Sequence, residues 1–290
     1  MLDDGMSVEC HIKGNFRIRG IRSTNPVAVG DFVEVQTLPD GTNWIVEIKE
    51  RRNYIIRRST NLSKESHILA ANIDQVALIV TVNHPVTSTT FIDRFLATCE
   101  AYRVRALIIF NKIDLFSEEE LTQMEELRAL YESIGYETVE LSAISLQSSE
   151  ITPLLAGKTT LLSGNSGVGK STLLNALFGR EMTRTGKISD AHDKGMHTTT
   201  FSEMYFLPDG AIIDTPGIKG FGSVDMQKEE VSHYFPEIFR ISQECRFSNC
   251  THTNEPGCAV EEAVVRGEIA VSRYESYLSL LGDCDESKYR

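Results

Sequence analysis

Two short motifs constrain the fold of this chain because they occur in an unusual order. The tetrapeptide Asn-Lys-Ile-Asp at 111–114 comes before the octapeptide Gly-Asn-Ser-Gly-Val-Gly-Lys-Ser at 164–171. The tetrapeptide is typical of a loop that recognises guanine, and the octapeptide matches the phosphate-binding pattern Gly-x-x-x-x-Gly-Lys-Ser. In most guanine-nucleotide switches the phosphate loop comes first. The reversed order predicts an α/β nucleotide-binding domain whose chain is circularly permuted.

The phosphate loop has the residue types that phosphate binding requires. Its glycines let backbone N–H groups converge on phosphate oxygens, Lys170 reaches the β- and γ-phosphates, and the Ser171 hydroxyl ligates Mg²⁺. A predicted strand, Thr159–Ser163, precedes it, and a predicted helix, Ser171–Leu177, follows. A glycine-rich turn without a ligand is the alternative. The predicted nucleotide contacts here are Gly164, Asn165, Ser166, Gly167, Val168, Gly169, Lys170, Ser171 and Thr172, with Lys170 also a catalytic candidate.

Asp114 predicts that the base is guanine. A carboxylate accepts hydrogen bonds from the guanine N1–H and exocyclic amine, a donor pair that adenine lacks, and such charge-assisted bonds are strong. Asn111 is expected to hold its own loop and the base edge, and the Lys112 stem to pack along the ring. Ser142 and Ala143 end another β-like run, from which a backbone N–H can reach guanine O6. A solvated turn is the alternative for the tetrapeptide taken alone.

A second group of candidates lies downstream. Asp214 is expected to hold Mg²⁺ through water, and the Gly217 N–H to contact the γ-phosphate. One threonine of 198–200, for which we choose Thr199 as both magnesium ligand and catalytic candidate, is expected to bind Mg²⁺ only when the γ-phosphate is present. The alternative is a mobile surface loop.

His197 is the candidate for orienting the attacking water. Ras-like enzymes place a glutamine after the sensor glycine, whereas this chain has Ile218 there, which cannot orient water. Intrinsic hydrolysis is therefore expected to be slow. The alternative is that His197 only caps or packs its loop.

Six predicted strands account for one complete Ras-like sheet in rotated order. A helix is expected at Thr90–Tyr102, and Ser117-x-x-Glu120 forms a capping box for another. The break in the usual order falls after the loop at 214–217, so the γ-phosphate sensor leads directly into the C-terminal region. The strands are Ile73–Val82, Val104–Phe110, Glu137–Leu141, Thr159–Ser163, Phe201–Leu207 and Ala211–Ile213.

Cys245, Cys250, His252 and Cys258 predict a structural zinc site. Three thiolates and one imidazole suit tetrahedral Zn²⁺, and all four positions are filled by protein. The other three cysteines are scattered and a reducing compartment is expected, which disfavours disulfides. The alternative is free buried thiols with an exposed His252. A helix is predicted over Glu261–Leu281.

The rotated order, the Gly-x-His-Thr-Thr stretch at 195–199, the Asp-Thr-Pro-Gly at 214–217 and the cysteine cluster resemble the bacterial RsgA (YjeQ) family over nearly the whole chain. The resemblance implies an OB-fold domain at 1–68, a circularly permuted GTPase domain at 69–222 and a zinc-binding helical domain at 223–290. Family members usually begin with a strand before the stretch matching 3–5, so the first domain is expected to lack one.

The resemblance also implies a function. Members hydrolyse GTP in late maturation of the small ribosomal subunit, with GTP/GDP, Mg²⁺ and Zn²⁺ as cofactors and the subunit and its rRNA as partners. Two alternatives remain: an RNA-binding assembly factor in which GTP is a static ligand, and a GTPase that acts on another RNA or protein.

Charge favours a local RNA contact in the first domain. Residues 1–68 hold ten basic and nine acidic residues, whereas the remainder holds nineteen and thirty-two. Basic residues on the rim of a small barrel can follow an RNA backbone; a solvated edge that protects strands is the alternative. The predicted strands are Ser7–Ile12, Asp31–Thr37, Trp44–Lys49 and Tyr54–Arg58, and the basic residues are Arg17, Arg19, Arg22, Lys49, Arg51, Arg52, Arg57, Arg58 and Lys64.

Composition sets the remaining expectations. The net charge of −12 argues against indiscriminate nucleic-acid binding, and no DNA partner is expected. The sequence has no apolar run of the length that spans a bilayer, so no membrane partner and a cytoplasmic location are expected. Nothing in the sequence requires a dimer, so a monomer is expected.

Overall fold

The computed structural model describes residues 2–3, 5–12, 26–58, 66–145, 148–179, 202–215 and 226–286. The strands are β1 (His11–Ile12), β2 (Val33–Thr37), β3 (Asn43–Ile48), β4 (Tyr54–Arg58), β5 (Ser66–Ala71), β6 (Gln75–Val80), β7 (Arg105–Asn111), β8 (Glu137–Leu141), β9 (Thr159–Ser163), β10 (Glu203–Phe206) and β11 (Ala211–Asp214). The α-helices are α1 (Thr89–Tyr102), α2 (Glu118–Ile134), α3 (Ser148–Leu155), α4 (Lys170–Phe178), α5 (Pro236–Ser242), α6 (Ala259–Val265) and α7 (Val271–Glu286).

A six-stranded sheet forms the centre of the molecule. Its order is β10-β11-β9-β6-β7-β8, and every pair is parallel except β10 with β11. All six residues of β6 are buried, as expected for a parallel strand covered on both faces. The six predicted strands are therefore confirmed with small shifts at their ends. Because the parallel strands share one direction, the loops that follow them meet at one edge of the sheet.

Local signals fix where the two longest helices of this region begin. Ser88 caps α1 by accepting a hydrogen bond from the Phe91 N–H. The predicted capping box is present at α2, where Ser117 and Glu120 each accept a hydrogen bond from the other's backbone N–H. Gly135 ends α2 with φ 115°, a conformation that glycine adopts without a steric cost.

The first strands form two small sheets, β1-β3-β2 and β4-β5. The strand β5 was not predicted, and it runs through the expected domain boundary at 68. The Asn72 side chain fastens this region to the central sheet, since it donates to the Gly30 carbonyl at 2.9 Å and accepts from the Arg52 N–H at 2.9 Å. A Cβ on Gly30 would lie 2.1 Å from the Ala71 carbonyl oxygen, so this approach requires glycine.

The interpretation of Arg51 as part of an RNA-binding rim is wrong. Its guanidinium forms two hydrogen bonds of 2.6 Å with Asp31, and their side chains are 8% and 1% exposed. Arg52 pairs with Asp74 at 2.7 Å. Lys49 contacts Glu34 and Glu47. The basic residues Arg17, Arg19, Arg22 and Lys64 lie outside the described residues, as do the side chains of Arg57 and Arg58.

The helix predicted over Glu261–Leu281 is two helices, α6 and α7. Gly267, with φ 75°, breaks the run, and its N–H donates to the Val264 carbonyl at 3.1 Å. Both helices bury apolar residues, so the apolar periodicity of the sequence continues across the break and does not reveal it. The prediction therefore gave the right type of structure and missed the turn.

A buried ion network docks the C-terminal helices on α1. Arg273 on α7 is 1% exposed, and its Nη1 donates to Asp93 on α1 at 2.9 Å. The same guanidinium binds both oxygens of Glu237 on α5, at 2.6 and 3.1 Å. A buried charge must be paired, so this contact specifies how α7 packs against α1. Among the described helices, none is both long and apolar enough to cross a membrane.

Candidate functional site

Asn111 joins the three loops predicted to hold a nucleotide. It is 1% exposed at the end of β7. Its Nδ2 donates to the Val168 carbonyl in the phosphate loop at 2.7 Å, and its Oδ1 accepts from the Ala143 N–H at 3.0 Å. The sheet order explains the meeting, because β9, β7 and β8 all end at the same edge, where α/β sheets bind ligands. The structure thus brings the predicted base and phosphate loops together.

The predicted base-reading groups lie side by side. The Ser142 hydroxyl donates to Asp114 Oδ1 at 2.5 Å, which orients the carboxylate. Asp114 is exposed, so its second oxygen is accessible to a base. Lys112 has φ 67°, and its Nζ donates to the His84 carbonyl at 2.6 Å. This arrangement fits guanine, which offers two donors to one carboxylate.

The phosphate loop is shaped by glycines that no other residue can replace. A Cβ on Gly164 would lie 2.4 Å from the Ile79 carbonyl oxygen, and a Cβ on Gly169 would lie 2.3 Å from Asn111 Nδ2. Gly169 is the N-cap of α4, and its φ of 102° favours glycine as well. The Lys170 ammonium donates to the carbonyls of Gly164 and Asn165 at 2.5 and 2.8 Å. The loop therefore curls around its own lysine and holds the ammonium at the position where the sequence predicts the phosphates.

Lys170 and Asp214 form an electrostatic pair at the base of this cradle. Burial raises the pKa of Asp214, and the nearby Lys170 charge opposes that rise. Burial lowers the pKa of Lys170, and Asp214 opposes that fall. A bound phosphate would supply the negative charge that stabilises the charged form of Lys170, and a divalent cation would supply the positive charge that stabilises the charged form of Asp214.

The candidate magnesium site has the donor types that Mg²⁺ prefers. Asp214 and Leu162 are paired in register, which places Thr215 beside Ser163 at the strand ends. The hydroxyls of Ser163 and Thr215 are buried and have no hydrogen-bond partner among the described residues. Ser171 follows in the first turn of α4. Carboxylate and hydroxyl oxygens of this kind fit a hydrated magnesium ion.

Three predicted site residues fall outside the described residues. They are His197, Thr199 and Gly217. Thr198 and Thr200 fall outside them too. Their roles stay predictions.

Cys245, Cys250, His252 and Cys258 form a cluster whose geometry fits zinc. Their donor atoms all lie within 4.8 Å of one another. The sulfurs of Cys245 and Cys258 are each 3.5 Å from His252 Nδ1. Bonds of about 2.3 Å to sulfur and 2.0 Å to nitrogen at a tetrahedral angle span about that distance. His252 is 2% exposed, so the alternative with an exposed histidine does not hold.

Glu255 organises the loop that carries His252, and the sequence analysis missed it. Its two oxygens accept from the backbone N–H groups of Thr251, Thr253 and Asn254 at 2.7, 2.9 and 3.1 Å. Burial opposes them, but these bonds together with one from the Thr251 hydroxyl at 2.6 Å hold the pKa of Glu255 well below its usual range. The His252 carbonyl accepts from the Tyr274 hydroxyl at 2.6 Å, which ties the loop to α7. The sequence signal that could have indicated this role is that Glu255 is the one carboxylate residue between Cys245 and Cys258.

Comparisons with known proteins agree with this geometry. The family model described as RsgA GTPase matches residues 48–224. A Bacteroides fragilis protein named "Small ribosomal subunit biogenesis GTPase RsgA" is 60% identical over 290 residues, which cover 99% of this chain and 94% of the relative. A Porphyromonas gingivalis protein of the same name is 59% identical over 294 residues, covering 99% and 93%.

Two solved structures share the fold. The crystal structure of YjeQ from Thermotoga maritima matches with a TM-score of 0.73 and 35% identity, covering 95% of this chain and 89% of that one. The structure of YloQ, described as a circularly permuted GTPase, matches with a TM-score of 0.71 and 31% identity, covering 97% and 87%. The circular permutation predicted from the motif order is thereby confirmed.

Proposed function

This chain belongs to the RsgA GTPase family, and we propose that it hydrolyses GTP as a biogenesis factor of the small ribosomal subunit, which stimulates its turnover. The observation that carries the proposal is the Asn111 junction, where one amide joins the base loop to the phosphate loop. It places the two loops side by side, as a ligand with both a base and phosphates requires. Relatives about 60% identical over nearly the full chain are named for this role.

Separate groups among the described residues bind the base and the phosphates of the nucleotide. Asp114, oriented by Ser142, accepts the two guanine donors. The Ala143 N–H donates to Asn111 Oδ1, so it holds the base loop and is not offered to guanine O6. The Lys112 stem lies along the ring. The backbone of the phosphate loop, together with Lys170, holds the phosphates. This division favours GTP and GDP over adenine nucleotides.

Catalysis is proposed to depend on charge and on a positioned water. Lys170 stabilises charge on the β- and γ-phosphates, and the Gly217 N–H contacts the γ-phosphate. Ser171, Thr199 and Asp214 would hold Mg²⁺, which supplies charge neutralisation at the phosphates when bound. Ile218 cannot orient a water, so turnover without a partner is slow.

The flanking regions are proposed to carry partner recognition. Residues 1–68, together with the rest of β5, form the OB-fold domain that contacts rRNA, and 223–290 form the zinc-binding helical domain. The proposed zinc ligands are Cys245, Cys250, His252 and Cys258, which support this domain because its helices α5 and α6 have only seven residues each. The protein is proposed to act as a cytoplasmic monomer.

Replacing His197 with alanine tests the proposed catalytic residue. We expect stimulated turnover to fall about 100-fold, because a positioned general base or water-orienting group contributes about 10²–10⁴. GDP affinity should stay at the wild-type value, since His197 is assigned to the attacking water alone. Single-turnover kinetics with small subunits present measures the first quantity, and fluorescence titration the second. Unchanged stimulated turnover would rule out this role.

Cosedimentation tests the proposed partner. The purified protein is mixed with small or large ribosomal subunits, in GDP or in a non-hydrolysable GTP analogue, and separated on a sucrose gradient. We expect comigration with small subunits only, and more in the analogue than in GDP. Binding to neither subunit in either nucleotide would contradict the proposed function. Equal binding to both subunits would favour a general RNA-binding role.

A further inference from the structure

The turn that follows β6 lies between the two loops of the nucleotide site. In the sheet, β6 is the neighbour of both β9, which leads to the phosphate loop, and β7, which leads to the base loop. The turn at 81–87 therefore emerges at the same edge, between them. Thr81 and Thr87 close it, since the Thr87 N–H donates to the Thr81 carbonyl at 3.0 Å and the Thr81 N–H to the Thr87 hydroxyl at 3.2 Å. Both threonines are buried.

The turn contacts the phosphate loop and the base loop separately. Its Pro85 ring packs on the phosphate loop, where a Cβ on Gly167 would lie 3.5 Å from Pro85 Cδ. The Thr81 hydroxyl donates to the Pro85 carbonyl at 2.5 Å, which fixes that residue. On the other side, the His84 carbonyl accepts from Lys112 Nζ at 2.6 Å. One turn thus holds the lysine assigned to the guanine ring and touches the loop assigned to phosphates.

Asn83 fastens the turn to the start of α2. Its Nδ2 donates to Glu120 Oε1 at 2.6 Å, and its Oδ1 accepts from the His84 N–H at 2.9 Å. The other oxygen of Glu120 accepts from the Ser117 N–H at 2.8 Å, within the capping box. The base loop runs directly into this cap. Asn83 therefore provides a second connection between the turn and the base loop, in addition to the hydrogen bond from Lys112 to the His84 carbonyl.

We propose that the Asn83–Pro85 turn is a positioning element for the guanine nucleotide, with Asn83 as its key side chain. It holds Lys112 and the base loop in the binding geometry before the nucleotide arrives, which reduces the ordering cost of binding. The inference rests on the proposed function. Because none of these contacts involves the groups assigned to the γ-phosphate, the turn strengthens GDP and GTP binding equally.

Two substitutions at Asn83 separate its two hydrogen bonds. Asn83→Ala removes both, whereas Asn83→Asp keeps the acceptor for the His84 N–H and places a carboxylate against Glu120. We expect both variants to raise the Kd for GDP and for a non-hydrolysable GTP analogue by the same factor, roughly 3- to 10-fold. The kcat at saturating GTP should stay unchanged, since uniform binding alters KM alone. Asn43→Ala, which removes an asparagine with two hydrogen bonds in the β1-β3-β2 sheet, is the matched control and should bind GDP as wild type does.

Thermal unfolding distinguishes positioning from simple stability. GDP stabilises the folded protein by RT ln(1 + [GDP]/Kd), so at one GDP concentration both Asn83 variants should show a smaller GDP-induced rise in Tm than the wild type. Wild-type GDP affinity in both variants would overturn the proposal. A lower Tm without nucleotide, combined with an unchanged shift on adding GDP, would also overturn it. If only Asn83→Ala lost affinity, the hydrogen bond between Asn83 and the His84 N–H would account for the effect. The proposed link to Glu120 would then be overturned. If the wild-type protein bound no guanine nucleotide, the proposed function itself would fail, and the inference with it.

Discussion

Replacing Asp114 with asparagine is expected to remove most of the affinity for GDP and GTP. The asparagine side chain has one acceptor oxygen and places an amide donor against the exocyclic amine of guanine. Two charge-assisted hydrogen bonds at about 1.5–3 kcal/mol each predict a loss on the order of 10²–10⁴-fold in Kd. Isothermal titration with GDP measures it. Xanthosine diphosphate, which has an oxygen in place of the amine, should bind the variant more tightly than GDP does.

Asp209→Asn is the matched control for this substitution. Asp209 is exposed in the turn between β10 and β11, at the end of β11 opposite Asp214, and the change removes the same charge. Its GDP affinity should equal that of the wild type. A GDP affinity of Asp114→Asn within a few-fold of wild type would contradict the assignment of the base-reading carboxylate.

Replacing Cys258 with serine is expected to release zinc and unfold the C-terminal helices. Cys258 is 2% exposed, and its sulfur accepts the Glu261 N–H at 3.5 Å as the N-cap of α6, so it serves as proposed ligand and as cap. Structural zinc contributes about 10–16 kcal/mol of apparent binding free energy, comparable with or above the total stability of about 5–15 kcal/mol typical of a domain. Metal analysis should fall from one zinc per chain to none. The unfolding transition of this region should be lost.

Cys10→Ser is the matched control, because Cys10 lies in the N-terminal region, outside the cluster. It should retain one zinc and the wild-type Tm. Treating the wild-type protein with a chelator should reproduce the Cys258→Ser result. Full zinc content in Cys258→Ser, or an unchanged Tm after chelation, would contradict a structural zinc site.

Patterns of short range predicted the fold well. The bounds of β8 and β9 were predicted to the residue, because each is a short β-like run that is followed directly by a turn. The capping box of α2 follows from two residues alone. The position of the phosphate loop could be predicted because Gly164 lies against the backbone of Ile79 and Gly169 against the side chain of Asn111. A Cβ would clash at both positions, so the two glycines occur at a fixed spacing in the sequence.

Features that depend on distant partners could not be predicted. Arg51 is buried because Asp31 lies opposite it, twenty residues away in the sequence, and a basic cluster in the sequence does not reveal such pairing. Arg273 likewise pairs with Asp93, which is 180 residues away in the sequence. The turn at Asn83 has no motif of its own, and its position between two loops follows from the strand order. These elements became visible only when the sheet placed them together.

GTP turnover by the purified protein, alone and with small subunits, large subunits or unrelated structured RNA, tests the central claim most directly. We predict slow turnover alone and an increase of at least about ten-fold with small subunits only, as expected when a partner completes a catalytic site. Equal, slow turnover under all four conditions would contradict the claim, and would make the protein a GTP-dependent binder in which the nucleotide is a static ligand.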